Sequence, residues 1–351
     1  MTTARVQLFH GPGRPFELRH VPLPATIGAG EVLVEITLAT ICGSDLHTVD
    51  GRRSAPQPCV LGHEAVGRVI ASARPGILPG QRVTWSLVDS CGTCPACTDY
   101  QLPQKCATLF KYGHAAFVRG DELNGGYASH LRLRRGTAVM TVPDDLEDHL
   151  VAPANCALAT VVSILAELPR PCRTVLVQGG GLLGVYACAM LRRRGVEHVF
   201  CADISAARLA LIAEFGGEPL RADSDHWPAA AERLRSLGGA DLVIEVAGSA
   251  SVVGQGLEVL RPGGTYVWGG MVHPDTELTL TGEAVLRKCA RIRGVHNYAP
   301  PDLAAALRFL AETRGEFPYG KLVSPPFPLE RLEDALELSR RREWLRVAVQ
   351  P

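Results

Sequence analysis

Two sets of sulfur and nitrogen donors mark this 351-residue chain as one that could hold metal. The first is Ile41-Cys42-Gly43-Ser44-Asp45-Leu46-His47, followed downstream by Gly62-His63-Glu64. The second compresses Cys91, Cys94, Cys97 and Cys106 into CGTCPACTDYQLPQKC. Four thiolates close a tetrahedral site and leave no open position, so the second set suits a metal that holds a loop. A Cys/His set that stops at three protein ligands leaves a position for water or a reactant, so the first set suits chemistry.

A third constellation binds a different kind of ligand. Thr174-Val175-Leu176-Val177-Gln178 reads as a buried strand running directly into Gly179-Gly180-Gly181-Leu182-Leu183-Gly184 and then an apolar helix. Strand, G-x-G-x-x-G and helix in that order form a dinucleotide fingerprint. Gly179 permits the tight turn, Gly181 lets backbone approach a pyrophosphate, and Gly184 lets the helix pack close to the strand. The helix start at Leu182 and Leu183 supplies N–H donors and dipole. His198 to Asp203 then reads as a second strand ending in an acid, where the adenosine ribose hydroxyls are held. A carboxylate there repels a 2′-phosphate, so Asp203 favours NAD over NADP. Arg208 is close enough to reach the adenosine side and soften that preference.

These groups need elements to position them. Up to about residue 150, short β-rich runs such as Glu31 to Ile36 and Ala65 to Ile70 alternate with Gly/Pro turns, the pattern of a barrel-like β domain. Beyond Pro143-Asp144-Asp145-Leu146 the texture changes to helix-length apolar stretches (Ala152 to Leu168) alternating with strands (TVLVQ, HVFCAD, ADLVIEVA, GGTYVWGG). Alternating βα units predict a parallel sheet with helices on both faces. Near Asn297-Tyr298-Ala299-Pro300-Pro301 the pattern breaks again, and the tail is expected to return to the first domain. The predicted division is 1–155, 156–298 and 299–351.

Composition narrows the function. Lysine plus arginine and aspartate plus glutamate both number 36, so no excess charge favours nucleic acid or an anionic membrane. The start lacks a signal-peptide layout, and no apolar run is read as approaching the ~20 residues of a bilayer span. A soluble cytoplasmic protein follows, in which eleven cysteines point to metal rather than disulfides. Cys59, Cys172, Cys188, Cys201 and Cys289 are expected to be small buried hydrophobes.

Taken together, ICGSDLH, GHEAVGRV, the four-cysteine lobe, the glycine loop with its aspartate and GGTYVWGG resemble the zinc-dependent medium-chain dehydrogenase/reductase family over essentially the whole chain. The resemblance implies an α/β protein: a GroES-like β-barrel catalytic domain with a Rossmann doubly wound coenzyme domain. It also implies NAD, two zinc ions per chain, a small alcohol or carbonyl substrate and a homodimer or homotetramer. Cys42 and His63 match catalytic zinc ligands, and Cys156 in PANCA falls at the third, where sorbitol-type relatives carry glutamate. Glu64 matches an outer or exchangeable ligand. Ser44 and His47 match the relay that carries the alcohol proton away, and Asp45 the carboxylate that orients the ligand histidine. Two departures are visible: eight residues separate Cys97 from Cys106 instead of seven, and Gly43 replaces a basic residue common in alcohol dehydrogenases.

A narrower resemblance, carried by VTWS, KYGH, APANCA and GVHNYAP, is to dehydrogenases of phosphonate metabolism. It implies Lys111 and His114, with His296 or Asn297, as partners for a phosphonate. The alternatives are a polyol or cyclitol dehydrogenase and a non-catalytic dinucleotide-binding protein. Retention of Cys42, Ser44, His47 and His63 together argues against the latter.

Overall fold

The computed structural model describes residues 3–272 and 276–351. They form two units: the chain up to Ala159 with Ala299–Arg314 and Tyr319–Pro351, and Thr160–Tyr298 with Gly315–Pro318. The break expected at 155/156 thus falls at 159/160, and the returning tail cedes Gly315–Pro318. Packing explains both shifts. Ala154–Leu158 form a single π turn, and the Asn155 amide donates to the carbonyls of His63 at 3.2 Å and Trp85 at 3.1 Å. Phe317 stacks on Phe215 with ring centroids 5.6 Å apart.

In the first unit, Val32–Ile41 is the organising strand. Its residues are almost all buried because neighbours cover both faces, so the strand reads as a nearly continuous apolar run. It pairs antiparallel with Glu64–Ser72, His130–Leu133 and Val347–Gln350. Register shifts between Leu33 and Val34 and between Ile36 and Leu38 bend it, as bulges do where a sheet curves. The register matters for function: Thr40 lies opposite Glu64, and Ile41 opposite Val347. Cys42, His63, Glu64 and Arg346 therefore gather at one end of three adjacent strands. Trp85, Tyr112 and Tyr127, each fully buried, pack in the core beneath them.

The second unit holds six parallel strands. Their spatial order is Glu218–Arg221, His198–Asp203, Thr174–Gln178, Ala240–Glu245, Leu260–Trp268, Arg291–Gly294. Thr174–Gln178 is buried at every position, as a Val/Leu-rich central strand with helices on both faces must be. The order reverses direction between Thr174–Gln178 and Ala240–Glu245, and the crevice at the carboxyl ends beside such a reversal is where doubly wound sheets bind ligands.

Two sequence expectations are corrected here. Cys59, Cys188 and Cys201 are buried, but Cys172 is only half-buried and Cys289 is exposed. Cys289 closes the helix Gly282–Lys288 in the left-handed region at φ 46°, a terminus that faces solvent. The helical run Asp148–Glu167, at 20 residues, is also long and apolar enough to cross a bilayer. Most of it is buried within the protein, which explains its composition as that of a core helix.

Candidate metal centre and dinucleotide loop

Cys42 caps a short helix, Gly43–Val49, in extended conformation, and Asp45 at the third helical position accepts from the Cys42 N–H at 3.0 Å. That local closure fixes where the Cys42 sulfur points. The adjoining strand Glu64–Ser72 begins with Glu64, and His63 immediately precedes it. Gly62, just before them, has φ +87°, and a Cβ there would lie 2.7 Å from the Tyr127 ring, so only glycine brings His63 this close. Cys156 comes from the π turn, a helix irregularity often found at functional sites. Ligand atoms of Cys42, His63, Glu64 and Cys156 all lie within 4.8 Å of one another.

The surroundings orient each donor. Asp45 Oδ1 sits 3.2 Å from His63 Nδ1, and Asp45 Oδ2 also accepts from the Tyr127 hydroxyl at 3.0 Å. With Nδ1 facing that carboxylate, Nε2 is the nitrogen of His63 open to a metal. The Ser44 hydroxyl lies 3.4 Å from that Nε2. Glu64 is clamped by the Arg346 guanidinium through Nε at 2.7 Å and Nη2 at 2.8 Å, and by the Thr40 hydroxyl at 2.6 Å. Arg346 Nη2 also reaches the Cys42 sulfur at 3.6 Å.

The charge state of this cluster is that of a cation site. A hydrogen bond from Cys156 holds the Cys42 thiol well below its usual range despite burial, with Arg346 and His63 adding to the effect. The same bond, with burial, raises the Cys156 thiol well above its usual range. Burial lowers the His63 imidazole, but Asp45 and Cys42 outweigh it and hold it up at about 10. Burial raises the Glu64 carboxyl to about 7 against the pull of Arg346. Two sulfurs and an imidazole crowded onto protons are the donor set that a borderline-soft divalent ion such as zinc accepts in their place.

The lobe passes a stricter test. The sulfurs of Cys94 and Cys97 are 3.6 Å apart and those of Cys94 and Cys106 are 3.9 Å apart. The edge of a tetrahedron with zinc–sulfur bonds of about 2.3 Å is about 3.8 Å, and all four sulfurs lie within 4.8 Å of one another. Backbone N–H groups of Cys94 and Thr93 point at the Cys91 sulfur at 3.3 and 3.4 Å, and that of Cys91 at the Cys106 sulfur at 3.2 Å. Such donors stabilise thiolates. Between the helix Pro95–Thr98 and the turn Pro103–Lys105, Gln101 takes a left-handed conformation at φ 56°.

In the second unit each glycine of the loop has a distinct reason. Gly179 has φ +111°, and a Cβ there would meet the Ala247 nitrogen at 2.7 Å; one on Gly184 would meet the Gly179 carbonyl at 1.9 Å. Nothing lies within 4 Å of a Cβ on Gly181, an open face over which a pyrophosphate fits. Leu182 and Leu183 begin the helix Leu182–Arg193. Asp203 accepts from the Gly180 N–H at 2.7 Å and the Ser205 N–H at 2.8 Å, and Arg208 Nη1 stands 3.7 Å from its Oδ2. The aspartate therefore shapes the glycine loop, a role invisible in the motif.

Lys111 and His114 belong to the first unit, whereas His296 and Asn297 follow the strand Arg291–Gly294 in the second. His114 stacks obliquely on His63, ring centroids 5.4 Å apart, and His47 lies on the same short helix as Ser44. Sequence reasoning missed Arg346, Thr40, Tyr127 and Asn155. Arg346 stands 282 positions from Glu64, and no local pattern signals that pairing. Arg346→Met should destabilise the fold by about 3–5 kcal/mol in urea unfolding, because it strands a buried carboxylate. Adding Glu64→Gln should recover part of that loss. A double variant no more stable than the single would show that Arg346 acts by packing alone.

Residues 28–144 match the family model described as alcohol dehydrogenase GroES-like domain, and residues 183–312 match zinc-binding dehydrogenase. A protein of Aspergillus fumigatus named "Probable D-xylulose reductase A" is 31% identical over 310 residues, covering 83% of this chain and 81% of its own. The L-idonate 5-dehydrogenase (NAD(P)(+)) of Escherichia coli is 28% identical, with 88% of each chain covered. Among solved structures, an alcohol dehydrogenase from Thermotoga maritima superposes on 100% of both chains with TM-score 0.92 at 27% identity.

Proposed function

From the premise that the chain belongs to the zinc-dependent medium-chain dehydrogenase/reductase family, we propose that it oxidises a secondary hydroxyl of a polyol with NAD, or reduces the ketone in reverse. The chain is an oxidoreductase, a zinc-dependent alcohol or polyol dehydrogenase with a GroES-like domain and a dinucleotide-binding domain. The observation that carries the reaction is the convergence of Cys42, His63, Glu64 and Cys156 within 4.8 Å, beside Ser44. The polyol reading is supported by relatives named for D-xylulose and L-idonate. The hydroxyalkyl phosphonate expectation gains no support from those relatives.

Cys42, His63 and Cys156 would hold the catalytic zinc, with Glu64 beside them, and Cys91, Cys94, Cys97 and Cys106 the structural one. When bound, the catalytic metal supplies Lewis acidity toward the substrate hydroxyl, and NAD supplies the hydride acceptor. The remaining work falls to side chains of the protein. Asp45 keeps the proton of His63 on Nδ1. The Ser44 hydroxyl takes the substrate proton and passes it to His47, three residues on along the same helix and on the same face. Arg346 and Thr40 hold Glu64 by both carboxylate oxygens, and Asn155 anchors the backbone carbonyl of His63.

The cofactor choice rests on Asp203. NAD should be preferred to NADP, and Asp203→Asn, which removes the charge but keeps an acceptor for the loop, should raise the NADP/NAD ratio of kcat/KM at least about tenfold. Nicotinamide absorbance with a panel of alditols, cyclitols, simple alcohols and hydroxyalkyl phosphonates tests the whole reading. Wild-type preference for NADP would reassign the dominant role to Arg208, and a clear preference for a neutral monohydric alcohol would end the polyol assignment.

A further inference from the structure

Resting on the dinucleotide-binding reading above, we propose that Glu245 is a positioning residue for the coenzyme, its buried carboxylate tying together the two loops at the nicotinamide half of the crevice. Two features of the geometry carry this.

The first is where the carboxylate sits and what it holds. Glu245 ends the strand Ala240–Glu245 and is fully buried, a rare place for a glutamate. Register puts it opposite Gln178, the residue before the glycine loop, on one side and opposite Trp268 on the other. It therefore stands at the strand reversal, where doubly wound sheets bind ligands. Its Oε1 accepts from the Gly248 N–H at 2.6 Å and its Oε2 from the Gly270 N–H at 3.1 Å. The Glu245 carbonyl accepts from the Gly269 and Gly270 N–H groups at 2.9 and 3.0 Å. Two loops, following two adjacent strands, are thereby hung on one residue. Both carboxylate oxygens face N–H donors, the arrangement that suits an acceptor-only group. Burial raises the Glu245 carboxyl, and the N–H groups work against that rise.

The second feature is that these loops press on each other and on the glycine loop. A Cβ on Gly270 would lie 2.7 Å from the Gly248 nitrogen, and one on Gly179 would lie 2.7 Å from the Ala247 nitrogen. The Val246 N–H donates to the Gln178 carbonyl at 2.9 Å. No slack remains, so a shift of residues 246–248 displaces residues 269–270 and bears on Gly179. An apolar side chain would pack such a strand end at lower cost than a buried carboxylate. What the carboxylate adds is a fixed direction for two glycine N–H groups at the crevice. In a doubly wound sheet the half that holds Asp203 takes adenosine, so the loops after Ala240–Glu245 and Leu260–Trp268 belong to the half that takes nicotinamide. Glu245 acts on the coenzyme through the backbone it holds, not by contact.

The test separates the two halves of the coenzyme by binding alone. Affinity of the zinc-loaded protein is measured for NADH by its fluorescence and for AMP, which carries only the adenosine half, by calorimetry. Glu245→Gln keeps the size of the side chain but turns an amide N–H toward one of the glycine N–H groups. It should weaken NADH about tenfold or more, the range of one charge-assisted hydrogen bond, and leave AMP within about twofold. Gly248→Ala breaks the same bond from the loop side, because alanine resists the φ of +71° that aims this N–H at the carboxylate. It should weaken NADH selectively by about three- to tenfold, and it decides the question where the glutamine variant does not fold. Equal losses for NADH and AMP would mean that Glu245 only supports the fold, and unchanged NADH affinity would mean that the loops hold without it. Either result overturns the proposal. A wild type that binds neither nucleotide ends the dinucleotide reading and this role with it, whereas a wild type that binds both beside an unaltered variant overturns the role alone.

Discussion

Cys42→Ala is expected to abolish turnover, by a factor on the order of 10³ or more in kcat, while the protein keeps its fold and loses one of two zinc equivalents. The magnitude follows from removing several kcal/mol of transition-state stabilisation, each 1.4 kcal/mol being about tenfold. The structure adds a reason why the fold should survive. Cys42 sits at the rim of its strand, with the cap of its helix closed by the Asp45 carboxylate rather than by its own sulfur. Elemental analysis, a unfolding curve and a steady-state assay on the same preparation check all three parts. Full activity in the variant would remove Cys42 from the reacting centre. Unfolding would instead show that the cluster of Cys42, Cys156, Glu64 and Arg346 is structural.

The opposite profile is expected from the lobe. Cys94→Ala should release the other zinc equivalent and lower stability by about 3 kcal/mol or more, roughly 6–12 °C in Tm for a unit of this size. The Cys94 sulfur neighbours those of both Cys97 and Cys106, so its loss opens two edges of the thiolate cluster at once. Little packing replaces it, since the residues around Pro95–Thr98 are exposed or half-buried. Limited proteolysis should therefore cut within residues 91–106 in the variant and after chelation, and spare the loaded wild type. Identical cleavage of wild type and variant would mean that the four cysteines do not clamp the loop.

Much of this molecule was legible before its three-dimensional arrangement. Short-range chemistry survives in a linear text: C-x-x-C spacing brings sulfurs together within one turn, and strand, glycine loop and helix in succession leave a dinucleotide few other positions. The same holds for Asp45, three residues from Cys42 and one helical turn away from free choice. The alternation of βα units likewise dictated a parallel sheet, because crossover helices must cover both of its faces.

What tertiary structure decided lies at long range. Arg346 reaches Glu64 only because Val347 pairs with Ile41 in the sheet, and Tyr127 reaches Asp45 across 82 positions. Asp203 holds the glycine loop through Gly180 across 23 positions, a contact the motif does not contain. Even burial escaped the sequence at Cys289, where a helix terminus outweighed the apolar character of its surroundings. The division has one physical cause: backbone sterics and ligand spacing act over a few residues, whereas compensation of a buried charge depends on whichever distant group the sheet register delivers.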